Sequence, residues 1–275
     1  MAESHTNNWR LLRKYIQAEN ASYAELVAAR PRTASFVKMK DRWFKRTRRS
    51  WVSLNDRGIA IPPAFLTPYN FPKEAFLPDD LDSVMESGRL IYEMTQLKYQ
   101  LRGHNALREL DRWSTFCPEV VDPDTSYDIL ELSSGGCGGA EVAHHFGHTY
   151  QPTDFLAGRG SVYAPIHASL NLSVIDFDGS KTPYGFADKS FDMVACFQAI
   201  DAYGDEEHYP AFIDEMLRIA RRKVVIVFNP GLRARREKLE NGDEALIKAP
   251  LTERYKNIAF MRCPSTGRPA AVIRP

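Results

Sequence analysis

The chain is short of cysteine, of long apolar runs and of net charge. Its four cysteines, Cys117, Cys137, Cys196 and Cys263, stand 20, 59 and 67 residues apart in 275. No pair has the spacing of a zinc ribbon, and so sparse a set fits a reduced chain better than a disulfide scaffold. No apolar run approaches the roughly 20 residues that span a bilayer, so a membrane is not an expected partner. The opening Met1-Ala-Glu-Ser-His-Thr-Asn-Asn-Trp-Arg-Leu-Leu12 has no basic-then-apolar leader, and the expected location is cytoplasmic. No solenoid period and no low-complexity tract is present. What remains is an ordinary globular composition, 44% apolar and 26% charged, long enough for one large domain or a medium one with an added segment.

The overall charge of +1 conceals an asymmetry. From Arg30 to Trp51 there are nine cations (Arg30, Arg32, Lys38, Lys40, Arg42, Lys45, Arg46, Arg48, Arg49) against one acid, Asp41. Subtracting that +8 from the total leaves −7 on the rest of the chain. Phe36, Trp43, Phe44 and Trp51 interleave with the cations, a composition suited to phosphate contact with stacking. The competing reading makes the aromatics buried anchors and leaves the cations on a wet face.

The texture changes near Pro123. Before it, Trp9 to Ala29 and Asp79 to Phe116 read as helical, separated by a wrapping loop with five prolines between Ile61 and Pro78. After it, short apolar runs alternate with helical ones: Tyr127–Leu132, Ala140–Phe146, Thr149–Thr153, Leu172–Phe177, Phe191–Phe197, Tyr209–Ala220 and Lys223–Phe228. Such alternation predicts right-handed βαβ units and a mostly parallel sheet. Tyr255–Cys263 and Ala270–Ile273, flanking Pro264-Ser-Thr-Gly-Arg-Pro269, read as a closing antiparallel hairpin. The expected organisation is a helical N-terminal extension over 1–122 and an α/β core over 123–275.

The most informative stretch is Tyr127-Asp-Ile-Leu-Glu-Leu-Ser-Ser-Gly-Gly-Cys-Gly-Gly-Ala-Glu-Val-Ala143. A strand runs into a glycine-rich turn and a helix, where a backbone without Cβ atoms admits a close ligand and free N–H groups point outward. Asp154 follows the second strand, 16 residues after Gly138, near the distance at which an acid meets a ribose diol. Ser173-Val-Ile-Asp-Phe-Asp178 places carboxylates after the third strand, and Gly185-Phe-Ala-Asp-Lys-Ser-Phe-Asp-Met-Val194 enters a fourth.

Glu131-Leu132 with the glycine loop, Asp154, Asp176-Phe177 and above all Gly185–Val194 resemble class I S-adenosylmethionine-dependent methyltransferases. The segment Phe212-Ile-Asp-Glu-Met-Leu-Arg-Ile219 resembles the family's helix before strand five, and the hairpin its strands six and seven. The resemblance covers roughly Thr125 to Pro275. It departs from the family at Ser133-Ser134, where Gly-Cys is usual, and at Arg221-Arg222, where Gly-Gly is usual. It implies a Rossmann-like class I methyltransferase fold with S-adenosylmethionine as cofactor. By position it implies that Glu131, Ser133, Gly135, Gly136 and Gly138 form the loop beside the methionine part. Asp154 would hold the ribose hydroxyls, Asp176 and Phe177 would border the adenine, and Phe197 and Gln198 would lie beneath the sulfonium. A Rossmann dehydrogenase, the nearest competitor, needs a tighter G-x-G-x-x-G loop and is not expected to end in a hairpin.

Methyl transfer is largely proximity and alignment, and a base is needed only where the acceptor must lose a proton. The candidates for that role follow strand four: Asp201, Tyr203 and His208. His144 and His148 share a helical face at i, i+4 but lack the intervening Glu of a zincin, so no metal is expected. No Asn/Asp-Pro-Pro-aromatic motif follows strand four; Asn229-Pro230 comes after strand five. The expected acceptor is a small or glycan-like molecule methylated at oxygen or nitrogen, with the N-terminal extension as its lid. The alternative is an RNA partner bound through Arg30–Trp51, which a steep loss of affinity with salt distinguishes. A third expectation is a fold that has lost its cofactor. Oligomeric state is not encoded in any of these features.

Overall fold

A computed structural model describes residues 36–39, 42–46, 51–54, 59–66, 102–122, 124–158, 163–229 and 242–275. The helix expected over Trp9–Ala29, the first part of the one expected from Asp79 and most of the proline-rich loop lie outside them. Three short strands, β1 (Phe36–Met39), β2 (Arg42–Arg46) and β3 (Trp51–Leu54), pair antiparallel in sequence order. The extension thus carries a β-meander as well as helix. Register sets Lys38 opposite Trp43, Lys45 opposite Phe36 and Arg46 opposite Trp51, so three cross-strand pairs join a cation position to an aromatic one.

Helix α1 (Arg102–Phe116) precedes the α/β core. There follow β4 (Asp128–Leu132), α2 (Gly138–His145), β5 (Thr149–Asp154), α3 (Ala164–Ser169), β6 (Ile175–Asp176) and β7 (Phe191–Phe197). The chain closes with α4 (Tyr209–Ile219), β8 (Ala220–Val227), α5 (Gly242–Arg254), β9 (Ile258–Arg262) and β10 (Pro269–Ile273). The seven strands from β4 onward form one sheet in the order β6-β5-β4-β7-β8-β10-β9. Its first five strands are parallel and β10 runs antiparallel to both neighbours, so the mostly parallel sheet with a terminal hairpin is observed.

Strand periodicity divides the core into two layers. Leu130, Leu132, Val194, Cys196, Val224 and Ile226 face α4 and α5, where Ile213, Met216, Ile247 and Leu251 meet them. Ile129, Met193, Ala195, Phe197, Val225 and Val227 face the other way, against Leu110 and Trp113 of α1 and Val142 of α2. Because helices cover both faces, the central strands are apolar at nearly every position, as in β7 (Phe-Asp-Met-Val-Ala-Cys-Phe). Ile61 and Phe65, buried in the second layer, tie the described start of the proline-rich segment to this core. Gly267, with φ +67, lets the hairpin turn, its N–H donating to the Cys263 carbonyl at 2.7 Å.

Strand β8 begins three residues earlier than the sequence suggests. Arg221 explains it: Nη2 donates to Asp128 at 2.7 Å and Nε to Asp192 at 3.0 Å, knitting the exposed ends of β4, β7 and β8 together. Arg222 lies over the Tyr127 ring. The pair that replaces the family's Gly-Gly is therefore built into the sheet. His148 is buried, with Nδ1 accepting from the Tyr127 N–H and Nε2 donating to the Val120 carbonyl, while His144 and His145 are exposed. Among the described residues no helix is long and apolar enough to cross a membrane.

Candidate functional site

The strand order fixes where a ligand can sit. From β4 the chain steps outward to β5 and β6, then returns past β4 to β7 and β8. The reversal opens a crevice at the carboxyl ends of β4 and β7, the topological switch point of an open parallel sheet. The loops leaving those two strands begin at Ser133 and Gln198.

Backbone strain is concentrated at that edge. Ser133 (φ 55), Gly135 (φ 54), Cys137 (φ 52) and Gln198 (φ 62) all adopt left-handed conformations. For the three that are not glycine this costs roughly 1–2 kcal/mol each and persists only where neighbours over-determine it. At Ser133 the neighbours are visible: its N–H donates to Thr153 Oγ1 at 3.2 Å, and its hydroxyl bonds the Tyr203 hydroxyl at 2.8 Å. Serine thus occupies a position where the family has glycine, held from β5 and from the loop after β7. Tyr203 itself is buried against Gly179, where a Cβ would lie 2.3 Å from the ring.

Asp154 organises the glycine loop. One carboxylate oxygen accepts from the Gly135 N–H at 2.9 Å and the other from the Phe155 N–H at 2.8 Å. Burial raises its proton affinity above the ordinary carboxylate value, and the two N–H donors with His167 only partly oppose this. His167 also bonds the Gly135 carbonyl at 2.8 Å, so both backbone groups of this glycine are tied down. A Cβ on Gly135 would meet the Tyr163 ring at 3.6 Å, ordinary contact, so φ rather than space calls for glycine there.

Gly138 has a different reason. A Cβ there would lie 2.7 Å from the carbonyl carbon and oxygen of Asn105, because α1 crosses the start of α2 backbone to backbone. Gly138→Ala is expected to cost about 1–2 kcal/mol, the lower range for overpacking a core. Urea denaturation measures it, and unchanged stability would mean that α1 does not approach so closely. Gly136 is buried within the same turn.

Glu131, only 3% exposed, extends from β4 toward α1 and α2. Among the described residues its Oε2 and the Tyr150 hydroxyl have no hydrogen-bond partner, and both lie 2.4 Å from where a Gly139 Cβ would be. Burial pushes the Glu131 carboxyl well above the usual range and Glu109 adds to this, against Arg112 and Arg108.

The remaining predicted residues separate into groups. Asp176 pairs in register with Asp154, is exposed, and accepts the Leu156 N–H at 2.9 Å. Phe177 is packed in a cluster with Tyr184, Phe186 and Tyr203. Phe197 lies against Trp113 and Phe116 of the α1 layer, with the Arg112 guanidinium 5.2 Å above its ring. Gln198 and Asp201 meet through Asn229, whose Nδ2 donates to the Gln198 carbonyl at 2.8 Å and to Asp201 Oδ1 at 3.2 Å. His208 is exposed at the start of α4, and among the described residues its side chain makes no hydrogen bond to the loop or to Asp201. Reading in chain order missed Asn229 and Arg112. Asn229 follows β8, and only the adjacency of β7 and β8 brings it to Gln198; no local pattern marks Arg112 within α1.

Neither a protein-family model nor a curated protein matches the chain. Among solved structures it is similar to magnesium protoporphyrin IX methyltransferase from Synechocystis PCC 6803 with bound SAH. That match has 15% identity, covers 70% of this chain and 93% of the other, and has a TM-score of 0.45. It is similar also to the PH0226 protein from Pyrococcus horikoshii OT3, at 16% identity over 60% of this chain and 90% of that one, with a TM-score of 0.42. A third is the ribosomal protein L11 methylase from Lactobacillus delbrueckii subsp. bulgaricus, at 10% identity over 62% and 79%, with a TM-score of 0.39. The class rests on the sheet itself: parallel strands in the order β6-β5-β4-β7-β8 closed by the antiparallel β10 and β9 make a Rossmann-like class I methyltransferase fold.

Proposed function

We propose that this chain is an S-adenosylmethionine-dependent methyltransferase acting at oxygen or nitrogen of a small-molecule or glycan-like acceptor. The observation that carries the reading is the Asp154 carboxylate, bonded to the Gly135 N–H beneath a left-handed glycine loop at the switch point of the sheet. The donor set suits a nucleoside-bearing cation. Asp154 and Asp176, side by side at the ends of β5 and β6, are carboxylates able to accept from hydroxyls, and Phe177 stands beyond them. Ser133, Gly135, Gly136 and Gly138 form the loop for the amino-acid part. Glu131, with a buried oxygen that has no hydrogen-bond partner among the described residues, adds a further polar group beside that loop.

When bound, the cofactor supplies an electrophilic methyl group. The chain's own work is then to exclude water with the aromatic cluster, to hold the acceptor beside Phe197 and Gln198, and to take up a proton where the acceptor releases one. Asp201 is the first candidate for that last task, and exposed His208 is the second. The extension over 1–122 acts as substrate lid through α1. The alternative, an RNA partner for the basic segment, draws support from the three cross-strand pairs of cation and aromatic positions in β1–β3.

Calorimetric titration of the folded chain with S-adenosylmethionine and S-adenosylhomocysteine tests the reading. Binding is expected, weakened about ten- to hundredfold by Asp154→Ala, since each hydrogen bond to a charged group contributes about 1.5–3 kcal/mol. Asp154→Asn keeps an oxygen for the loop and separates ligand contact from loop support. No binding to folded wild-type protein overturns the proposal.

A further inference from the structure

We propose that Arg112 is a positioning residue for the acceptor side of the site: through Gln198 it sets Asn229 and Asp201. The inference rests on the methyltransferase reading above and adds to it a residue from the N-terminal extension. Arg112 is 1% exposed, although it carries a charge. Its Nη1 donates to Glu109 Oε1 at 2.7 Å, and its Nη2 donates to Gln198 Oε1. The Gln198 amide continues the chain, with Nε2 donating to Asn229 Oδ1 at 3.0 Å. Asn229 returns a bond to the Gln198 carbonyl and extends another to Asp201, so Gln198 and Asn229 are joined twice and Asp201 is tied to them.

Two features indicate more than an anchor between helix and sheet. Gln198 is held in a left-handed conformation at the first residue after β7, with its N–H on the Val227 carbonyl at 2.7 Å, a strain that an anchor alone does not require. The relay also runs outward from a buried ion pair to the partly buried Asp201, ending on the edge where the sheet opens its crevice. Each group is oriented by the one behind it, which is how a reactive side chain is kept in one geometry. An acceptor seated there meets a carboxylate and two carboxamides, which suits one that donates an N–H or O–H hydrogen. During transfer the acceptor's electron pair forms the new bond to the methyl carbon, and the sulfur–methyl pair stays on sulfur, leaving a neutral thioether. The acceptor's proton passes to Asp201.

The test is side-chain amide hydrogen exchange by NMR on the full chain. Losing one hydrogen bond of about 1 kcal/mol speeds exchange about five- to tenfold. Arg112→Met is expected to do so at both Gln198 and Asn229, Arg112→Lys to restore protection in part, and Asn229→Ala to expose Gln198 alone. Because Arg112→Met also destabilises the fold, it is measured again with enough trimethylamine N-oxide to return global stability to wild type. A positioning role leaves Asn229 exchanging fast under those conditions; protection that returns with stability overturns the proposal, as does slow Gln198 exchange in Asn229→Ala. Titration of wild-type protein with S-adenosylhomocysteine runs in parallel. No binding there overturns the methyltransferase reading and the acceptor role with it, whereas binding with unchanged exchange overturns this inference alone.

Discussion

Arg112→Met is expected to lower folding stability by about 3–5 kcal/mol, the cost of breaking a buried ion pair from one side. The guanidinium sits between Glu109, Gln198 and the Phe197 ring, and its removal leaves buried Glu109 with the Arg108 Nε, 3.0 Å away, as its remaining counter-charge. Burial works against the charge on Arg112, yet Glu109, with help from Cys263 and Glu131, holds its proton affinity above the ordinary value. The pair is thus a mutual dependence, and a double variant exposes it. Glu109→Leu with Arg112→Met is expected to recover much of the loss, because apolar replacement of both removes a buried carboxylate that has lost one of its two cations, while Arg108 keeps some access to water. Urea midpoints of the two single variants and the double one give the coupling directly. A single-variant cost below about 1 kcal/mol, typical of a surface pair, would contradict the buried arrangement.

The second large effect has the opposite sign. Glu131→Gln is expected to stabilise the protein by about 2–3 kcal/mol near pH 8, the scale of desolvating a buried polar group, which is larger still for a charge. Burial first, then Glu109, raises the Glu131 carboxyl well above its usual range in the folded chain. The folded state therefore binds the proton more tightly than the unfolded one. The associated stability is fully present below the unfolded value of about 4.3 and is lost as pH rises toward the folded one. Glutamine has no proton to lose, so the advantage of the variant should vanish near pH 4 and grow with pH. Denaturation midpoints of both proteins between pH 4 and 8 measure this; a gap that is constant, or that narrows as pH rises, contradicts it.

Much of the core was legible because its signals are local. The fourth core strand, β7, falls on the apolar run Phe191–Phe197, since a strand covered on both faces needs apolar residues throughout. The hairpin followed from Gly267 and its flanking prolines. Other elements were weaker in sequence than in space. Helix α5 shows little periodicity and contains Pro250, yet Ile247 and Leu251, one turn apart, bury it against the sheet. The third core strand contracts to Ile175–Asp176, the two residues in register with Thr153 and Asp154. The β-meander lies in a stretch read for its charge rather than for alternation.

The same division runs through the candidate site. The glycine loop and Asp154 are recognisable in sequence because a strand, a turn and an acid at a set spacing are consecutive requirements on one stretch of chain. The sequence alone also specified the order of the core strands with α2 and α4 between them, hence the parallel core, since periodicity and turn residues act over a few positions; α3 and α5 were not read from it. Tertiary structure decided what depends on neighbours remote in the chain. It set Gly138 against the Asn105 backbone, gave Ser133 its support from Tyr203, and brought Arg112, Gln198, Asn229 and Asp201 into one relay. Gln198 and Asn229 are 31 positions apart, and Arg112 and Gln198 are 86 apart. Their bonds exist only because β7 and β8 pair while α1 lies across their face, and hydrogen bonds reach no further than the atoms that packing brings within about 3 Å.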